Sequence, residues 1–187
     1  MSEADRRKWD SKYRASEGLA RKPSAFIDSI AHLLPKQGAA LDVAGGAGRH
    51  AIWLAKRGLR ATLVDISAEA LVQAGREAAA AGLELTTIAA DLDTDALPTG
   101  PWDVIVSVDF LWPPVFRVAH TLLAPGGLLV YEQPTRKNLE RHSSPSERFL
   151  LVDGALPVLV GSLEILQYTE GWIDDRHVAR LLARRKT

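Results

Sequence analysis

The stretch LDVAGGAGRH, Leu41 to His50, decides the fold. Its first residues read as a buried strand, its middle as a glycine turn and its end as the opening of a helix. An acid, Asp42, is set into the strand four residues before Gly46. Glycines in such a turn supply conformations that a side chain would penalise, and they let backbone come close to a ligand. A helix beginning at about Gly48 aims its free N–H groups at whatever occupies the turn. The expected use is a cofactor turn.

Working outward, strand and helix alternate on both sides of this stretch. Upstream, EADRRKWDSKYR places Trp9 and Tyr13 at i, i+4, so a helix shows both rings on one face. Gly18 and Pro23 punctuate the chain after it, and Ser24 can cap a second helix, Ala25 to Leu34, with an apolar stripe of Phe26, Ile27, Ile30, Leu33 and Leu34. Downstream, HAIWLAKRG continues the helix of the turn, with Gly58 as its C′ residue. ATLVD is a strand finishing at Asp65, Ser67 and Glu69 start an alanine-rich helix, and LELTTIAAD is a strand finishing at Asp91. After a loop rich in Asp, Pro and Gly, DVIVSVD runs as a strand from Asp103 to Asp109. A helix entered through Pro113 and Pro114 comes next, then the turn APGG and a strand from Leu128 to Glu132. Residues 133–146 read as the one long loop, 146–156 as a short helix, and LEILQYTEGW with HVARLLARR as a closing hairpin.

This order predicts an α/β, Rossmann-like, doubly wound and mostly parallel seven-stranded sheet, with helices on both faces and an antiparallel C-terminal hairpin. The expected organisation is a single domain over 1–187, with a helical cap at 1–36 and the core at 37–187. At 187 residues and 47% hydrophobic composition the chain can bury a proper core. Lys+Arg and Asp+Glu are equal at 23 each, so no global charge steers it to nucleic acid or an anionic membrane. The absence of cysteine rules out disulfides and thiolate metal sites. With no apolar leader or membrane-length run, a cytoplasmic protein is expected. Nothing in the sequence specifies an oligomeric state.

In an open α/β sheet, ligands gather beyond the carboxyl ends of the strands. Four predicted strand ends carry glycine or acid: the AGGAG turn, Asp65, Asp91 and Asp109. Together they describe one nucleoside-sized site. Gly46, Gly48 and Ala51 also satisfy the dinucleotide pattern G-x-G-x-x-G/A, with Asp65 near the position of its ribose-binding acid. Two features weigh against that reading. A dinucleotide strand should be apolar at position 42, and this chain has no second domain to hold a hydride acceptor or donor.

The run Asp42 to Gly48 resembles the D-x-G-x-G-x-G loop of class I S-adenosylmethionine-dependent methyltransferases. VDIS, AADLDTDALP, WDVIVSVD, LAPGG and the terminal hairpin fall in that family's order, so the resemblance covers nearly the whole chain. WDSKYR near the start, and PSERFLLVDGAL after the fifth strand, further resemble the small tellurite-resistance-type branch. Two departures stand out. Ala44 replaces the first loop glycine, its methyl narrowing the approach to a ligand, and Gly45 occupies a place often held by cysteine. In the branch motif a glutamate usually stands where this chain has Ala155.

The resemblance implies S-adenosyl-L-methionine as cofactor and a small-molecule methyl acceptor. It implies a loop of Asp42, Ala44, Gly45, Gly46 and Gly48 around the methionine part, with Arg49 facing its carboxylate. Asp65, with Ile66 beside it, would accept from the ribose hydroxyls. Asp91 would accept from the adenine amino group, next to the Leu92 N–H. Val108 or Asp109 would meet the amino group and line the approach to the methyl. Tyr13 and Trp9, read from their spacing, are either plain core residues or a lid over the cofactor. Candidate general bases are Asp109, Glu132 and His142; a soft sulfur, selenium or tellurium acceptor needs none. Trp112 could wall a substrate pocket, and Arg136 and Arg148 border the long loop. No His, Asp and Glu grouping has metal-ligand spacing, so no metal is expected. The fourth strand ends in Val108-Asp109-Phe110-Leu111 rather than the Asn-Pro-Pro-aromatic tetrad of amide- and base-methylating enzymes. The alternatives are a short NAD(P)-dependent oxidoreductase and a non-catalytic methyltransferase-like binding module.

Overall fold

The computed structural model describes residues 3–15 and 22–187, and a sheet of seven strands runs through it. The strands are β1 (Ala39–Val43), β2 (Arg60–Asp65), β3 (Leu85–Ala89), β4 (Trp102–Val108), β5 (Leu123–Pro134), β6 (Glu164–Ile173) and β7 (Arg176–Arg184). Their order across the sheet is β3-β2-β1-β4-β5-β7-β6. The first five pair in parallel, while β7 runs antiparallel to both β5 and β6. The helices are α1 (Glu3–Ala15), α2 (Ala25–Ser29), α3 (Arg49–Lys56), α4 (Ala68–Ala80), α5 (Pro114–Leu122) and α6 (Leu156–Leu159). The chain winds outward from β1 to β3 and then returns to lay β4 beside β1. That reversal opens a crevice above the carboxyl ends of β1 and β4, where α/β sheets take ligands.

Alternation along the central strands sorts side chains to two faces. Leu41, Val43, Ile105, Leu129 and Tyr131 join Val115, Phe116 and Ala119 of α5 and Leu156 of α6 in one core. Ala40, Val104, Val106 and Val130 join Phe26, Ile27, Ile30 and Leu34 from α2 and its continuation, with Leu54 of α3, in the other. Asp42 points to this second face, where full burial of side chains such as Ile27 stabilises by roughly 1.5–3 kcal/mol each.

The expected punctuation holds where it has a backbone cause. The Ser24 hydroxyl accepts the Ile27 N–H at 3.2 Å and the Ser67 hydroxyl accepts the Ala70 N–H at 3.2 Å, which caps α2 and α4. Gly58 follows α3 with a left-handed φ of 98°, and a Cβ there would overlap the Lys36 carbonyl. Gly18 lies outside the described residues.

Three local expectations change. The helix expected over Ala25 to Leu34 breaks after Ser29, and 31–33 continue as a 3-10 turn. β5 takes in LAPGG and runs on to Pro134, because Trp102 of β4 pairs with Leu123 and Pro134 pairs with Val178 of β7. The segment 146–156 is not one helix. A 3-10 turn at Glu147–Phe149 leads into Leu151, which bridges Thr135 in parallel, before α6 begins. No described helix is long and apolar enough to cross a membrane.

Candidate active site

The glycine turn leaves β1 at Val43 and enters α3 at Gly48, whose φ of 78° makes it the left-handed N-cap. Ala44 and Gly46 are also left-handed, at 53° and 59°. The position where the sequence departs from the glycine pattern therefore keeps a glycine-like backbone while carrying a methyl group. Asp42 sits beneath the turn. Its Oδ2 accepts the Ala51 N–H at 3.0 Å, tying the end of β1 to the first turn of α3. A Cβ added to Gly45 would overlap that carboxylate, so the glycine that stands in the common cysteine position is required by Asp42 itself.

Burial pushes the Asp42 carboxyl up to about 7, against the Ala51 N–H that favours the anion. His50 of α3 lies beside it, with Nδ1 3.9 Å from Asp42 Oδ1. Burial, and secondarily the Arg49 charge, hold this imidazole down at about 3. The His50 Nε2 accepts the Ser24 N–H at 3.2 Å, so the neutral ring carries its proton on Nδ1, facing the Asp42 oxygen that has no other partner.

At the end of β2, Asp65 does two jobs. Its Oδ2 accepts the Gly46 N–H and its Oδ1 the Ser67 N–H, both at 2.8 Å. Burial raises this carboxyl, opposed by those backbone donors. A carboxylate offers about four lone-pair sites, so two remain beyond the bonds that pin the turn.

At the end of β4, Asp109 is left-handed at φ 59°. It pairs with Arg49 at 3.1 Å and with Arg176 at the start of β7. It joins the glycine turn to the closing hairpin.

These groups surround one cavity of about 240 Å³, lined by Ala44, Gly45, Ala47, Arg49, His50, Asp65, Ile66, Val108, Asp109 and Phe110. Trp9, Lys12 and Tyr13 of α1 close it from above. The Tyr13 hydroxyl stands where a Cβ on Gly46 would be. Of the residues singled out from sequence, Tyr13, Ala44, Gly45, Arg49, Asp65, Ile66, Val108 and Asp109 line this space. Asp42 shapes it from beneath, Gly46 is covered by Tyr13, and Gly48 turns toward Ala74 of α4.

Four others are not brought there. Asp91 begins the loop after β3 and accepts the Asp93 N–H at 3.1 Å, while Leu92 is buried in the α5-side core. Glu132 is buried under the sheet end, where its Oε2 accepts from Arg180 Nε at 2.7 Å. His142 holds the turn between β6 and β7, its Nε2 2.7 Å from the Asp175 carbonyl.

Sequence reasoning did not single out Lys12, Ala47, His50 or Phe110 for the site. Lys12 follows Trp9 by three residues, so helical spacing already puts it on the Trp9–Tyr13 face. The His50 contact with Asp42 depends on how α3 leaves the turn, and spacing does not give that.

Among the described residues, Asp153, Glu170 and His177 bring possible ligand atoms within 4.8 Å of one another. Protein donors already satisfy this group. Thr135 bonds both Asp153 and His177, and the Glu170 carboxylate accepts from the Gly154 N–H and the Tyr168 hydroxyl.

Sheet order, closing hairpin and the place of the cavity define the class I methyltransferase fold. Residues 40–127 match the family described as methyltransferase domain, and neither alternative reading is favoured by the match. The sequence has no significant match among curated proteins. Similar solved structures include TehB from Haemophilus influenzae, with a TM-score of 0.74 and 18% identity over 95% of this chain and 67% of that one. A TehB-like SAM-dependent methyltransferase from Corynebacterium glutamicum gives 0.70 and 18% over 99% of this chain and 100% of that one. Magnesium protoporphyrin IX methyltransferase from Synechocystis PCC 6803, with bound SAH, gives 0.74 and 17% over 98% and 99%. At these identities the likeness is one of fold.

Proposed function

We propose that this protein transfers the methyl group of S-adenosylmethionine to a small acceptor with a soft sulfur, selenium or tellurium nucleophile. The observation that carries the acceptor class is the state of the cavity's bases. Asp65 accepts from Gly46 and Ser67, Asp109 from Arg49 and Arg176, and His50 Nε2 from Ser24. Each carboxylate and imidazole lining the cavity therefore already accepts from donors of the protein. Oxygen and nitrogen acceptors usually need a positioned base, whereas a soft nucleophile reaches the reaction already ionised or unprotonated.

The cavity fits the cofactor by its donor set. Gly45 leaves backbone bare above Asp42, Asp65 keeps lone pairs for hydroxyl donors, and Arg49 offers a guanidinium beside the turn. When bound, the cofactor supplies a methyl group already activated by its sulfonium. The protein's part is alignment and exclusion of water. Ile66 and Val108 give apolar walls, Trp9 and Phe110 give aromatic ones, and α1 roofs them.

Calorimetry with S-adenosylhomocysteine and with NAD tests the cofactor, and binding of NAD alone would sink the reading. Transfer of a labelled methyl to thiols, selenide or tellurite, without transfer to phenols or amines, is the expected acceptor profile.

A further inference from the structure

We propose that Asp10 is a positioning residue for cofactor retention: by capping α4 it holds α1 as a lid over the cavity, and it does so through the serine that orients Asp65. This rests on the cofactor reading above. The Asp10 Oδ1 accepts the Ser67 hydroxyl at 2.6 Å and the Glu69 N–H at 3.3 Å. Ser67, fully buried, donates its own N–H to Asp65 Oδ1 at 2.8 Å. One residue thus links the lid to the carboxylate expected to meet the ribose. When the ribose engages Asp65 and fixes its rotamer, Ser67 is held in the orientation that Asp10 needs. Closure and occupancy then favour each other, and the coupling is reciprocal.

The rest of the α1 interface shows why this cap matters. Tyr13 is the one buried residue of α1. The apolar anchor is small, Tyr13 with Ala47 and Ala70 and with Trp9 partly buried against them. Polar contacts to α4 include Arg14 to Glu69 at 2.6 Å, and Gln73 Nε2 to the Tyr13 carbonyl at 2.8 Å. The Arg14–Glu69 pair is exposed and contributes little, whereas the Asp10 bonds reach a buried hydroxyl and one backbone N–H, that of Glu69, at a helix start. A lid held this way can open without unfolding the core.

The test uses the whole chain and two readouts. Alanine at position 10 keeps α1 helical, so Asp10→Ala removes the cap and little else. Hydrogen exchange of the α1 amides in the free protein should speed up in Asp10→Ala. Dissociation of S-adenosylhomocysteine, followed by stopped flow, should become about tenfold faster, as expected for the loss of a charged hydrogen bond. Asp10→Asn, whose amide oxygen can accept the same two bonds, should restore most of the retention. Faster α1 exchange with an unchanged dissociation rate would overturn the proposal, because α1 would then open without releasing ligand. So would unchanged α1 exchange. If the wild-type protein bound no S-adenosylhomocysteine, the cofactor reading would fall and the lid role with it, while the apo exchange data would still report whether Asp10 docks α1.

Discussion

Asp42 and Gly45 occupy each other's space: the carboxylate fills the position that a Cβ on Gly45 would need. The Leu63 side chain crowds the same point, so neither neighbour has room to give. Gly45→Ala should therefore push Asp42 off the Ala51 N–H and shift the turn. The expected cost is about 1–3 kcal/mol of stability, as for overpacking a core, with weakened S-adenosylhomocysteine binding. Thermal unfolding and calorimetry on the same samples check it.

Ala44 makes the opposite prediction. Its φ of 53° places a methyl-bearing residue in the left-handed region, which costs roughly 1–2 kcal/mol. Glycine relieves that strain but gives the unfolded chain about 0.4–1 kcal/mol of extra entropy. Ala44→Gly should leave a net gain of ~0.5–1 kcal/mol, raising Tm by about 1–4 °C for a chain of this size. It should also tighten cofactor binding, since Ala44 lines the cavity. Weaker binding in Ala44→Gly would mean that the methyl group packs against the ligand instead of obstructing it.

The sheet was legible because its signals are local and repeated: apolar strands, capped helices and a glycine turn, each set by backbone chemistry. The strand-end rule likewise led to Asp65 and Asp109. What could not be read was what each side chain does once there. Asp109 looks like a free acid in sequence, yet Arg176, sixty-seven residues away, folds back to claim it. Glu132 looks like a substrate-facing acid, yet its partner Arg180 arrives on the neighbouring strand β7. His142 sits in a segment that reads as a functional loop, and it serves to fasten that segment to the hairpin. In each case the deciding contact comes from across the antiparallel edge, whose register depends on how far β5 runs. The reading of 133–146 as a loop hid that register.

Asp42 and His50 make a linked prediction for pH. Asp42 is raised to about 7 in the folded chain, so between roughly pH 4 and 7 the folded state holds a proton that the unfolded state has lost, and stability falls as pH rises. His50 is lowered to about 3, so between about 3 and 6.5 the unfolded state holds the extra proton and stability rises with pH. The two slopes oppose each other across roughly pH 4 to 6.5, and their sum leaves the wild-type protein nearly flat there. Removing either partner exposes the other. His50→Asn should lose stability as pH rises from 4 to 7, and Asp42→Asn should lose it as pH falls from 6.5 toward 3, each by about 1 kcal/mol per pH unit. Urea titrations across pH would reveal parallel, flat profiles in both variants if the protonation states were otherwise.

Glu132 separates a structural acid from a catalytic one. It is 5% exposed and bonded to Arg180, whose guanidinium also lies over the Phe26 ring. Glu132→Gln leaves Arg180 half-paired in a mostly buried place. A loss of about 2–3 kcal/mol is expected, slightly below the range for a fully buried pair. The pH profile of methyl transfer should keep its shape, and His142→Ala should keep it too. A limb of the profile disappearing in either variant would restore that residue as a general base.

Asp65 gives the sharpest comparison. Asp65→Ala removes the acceptor for the Gly46 and Ser67 N–H groups together with the lone pairs left for the ribose. Each charged hydrogen bond contributes roughly 1.5–3 kcal/mol, so the loss of binding should reach about a hundredfold. Arg136 pairs with Glu147 at 3.0 Å on the exposed side of the 136–140 turn and does not line the cavity. Arg136→Ala should leave affinity for S-adenosylhomocysteine within about twofold, as surface substitutions usually do. Asp65→Asn belongs between them: its amide oxygen can still accept one backbone N–H, while its NH₂ meets the other donor head on. The ordering Ala weaker than Asn weaker than wild type, with Arg136→Ala unchanged, assigns the loss to Asp65's acceptor capacity, and equal effects at 65 and 136 would remove it from the ribose contact.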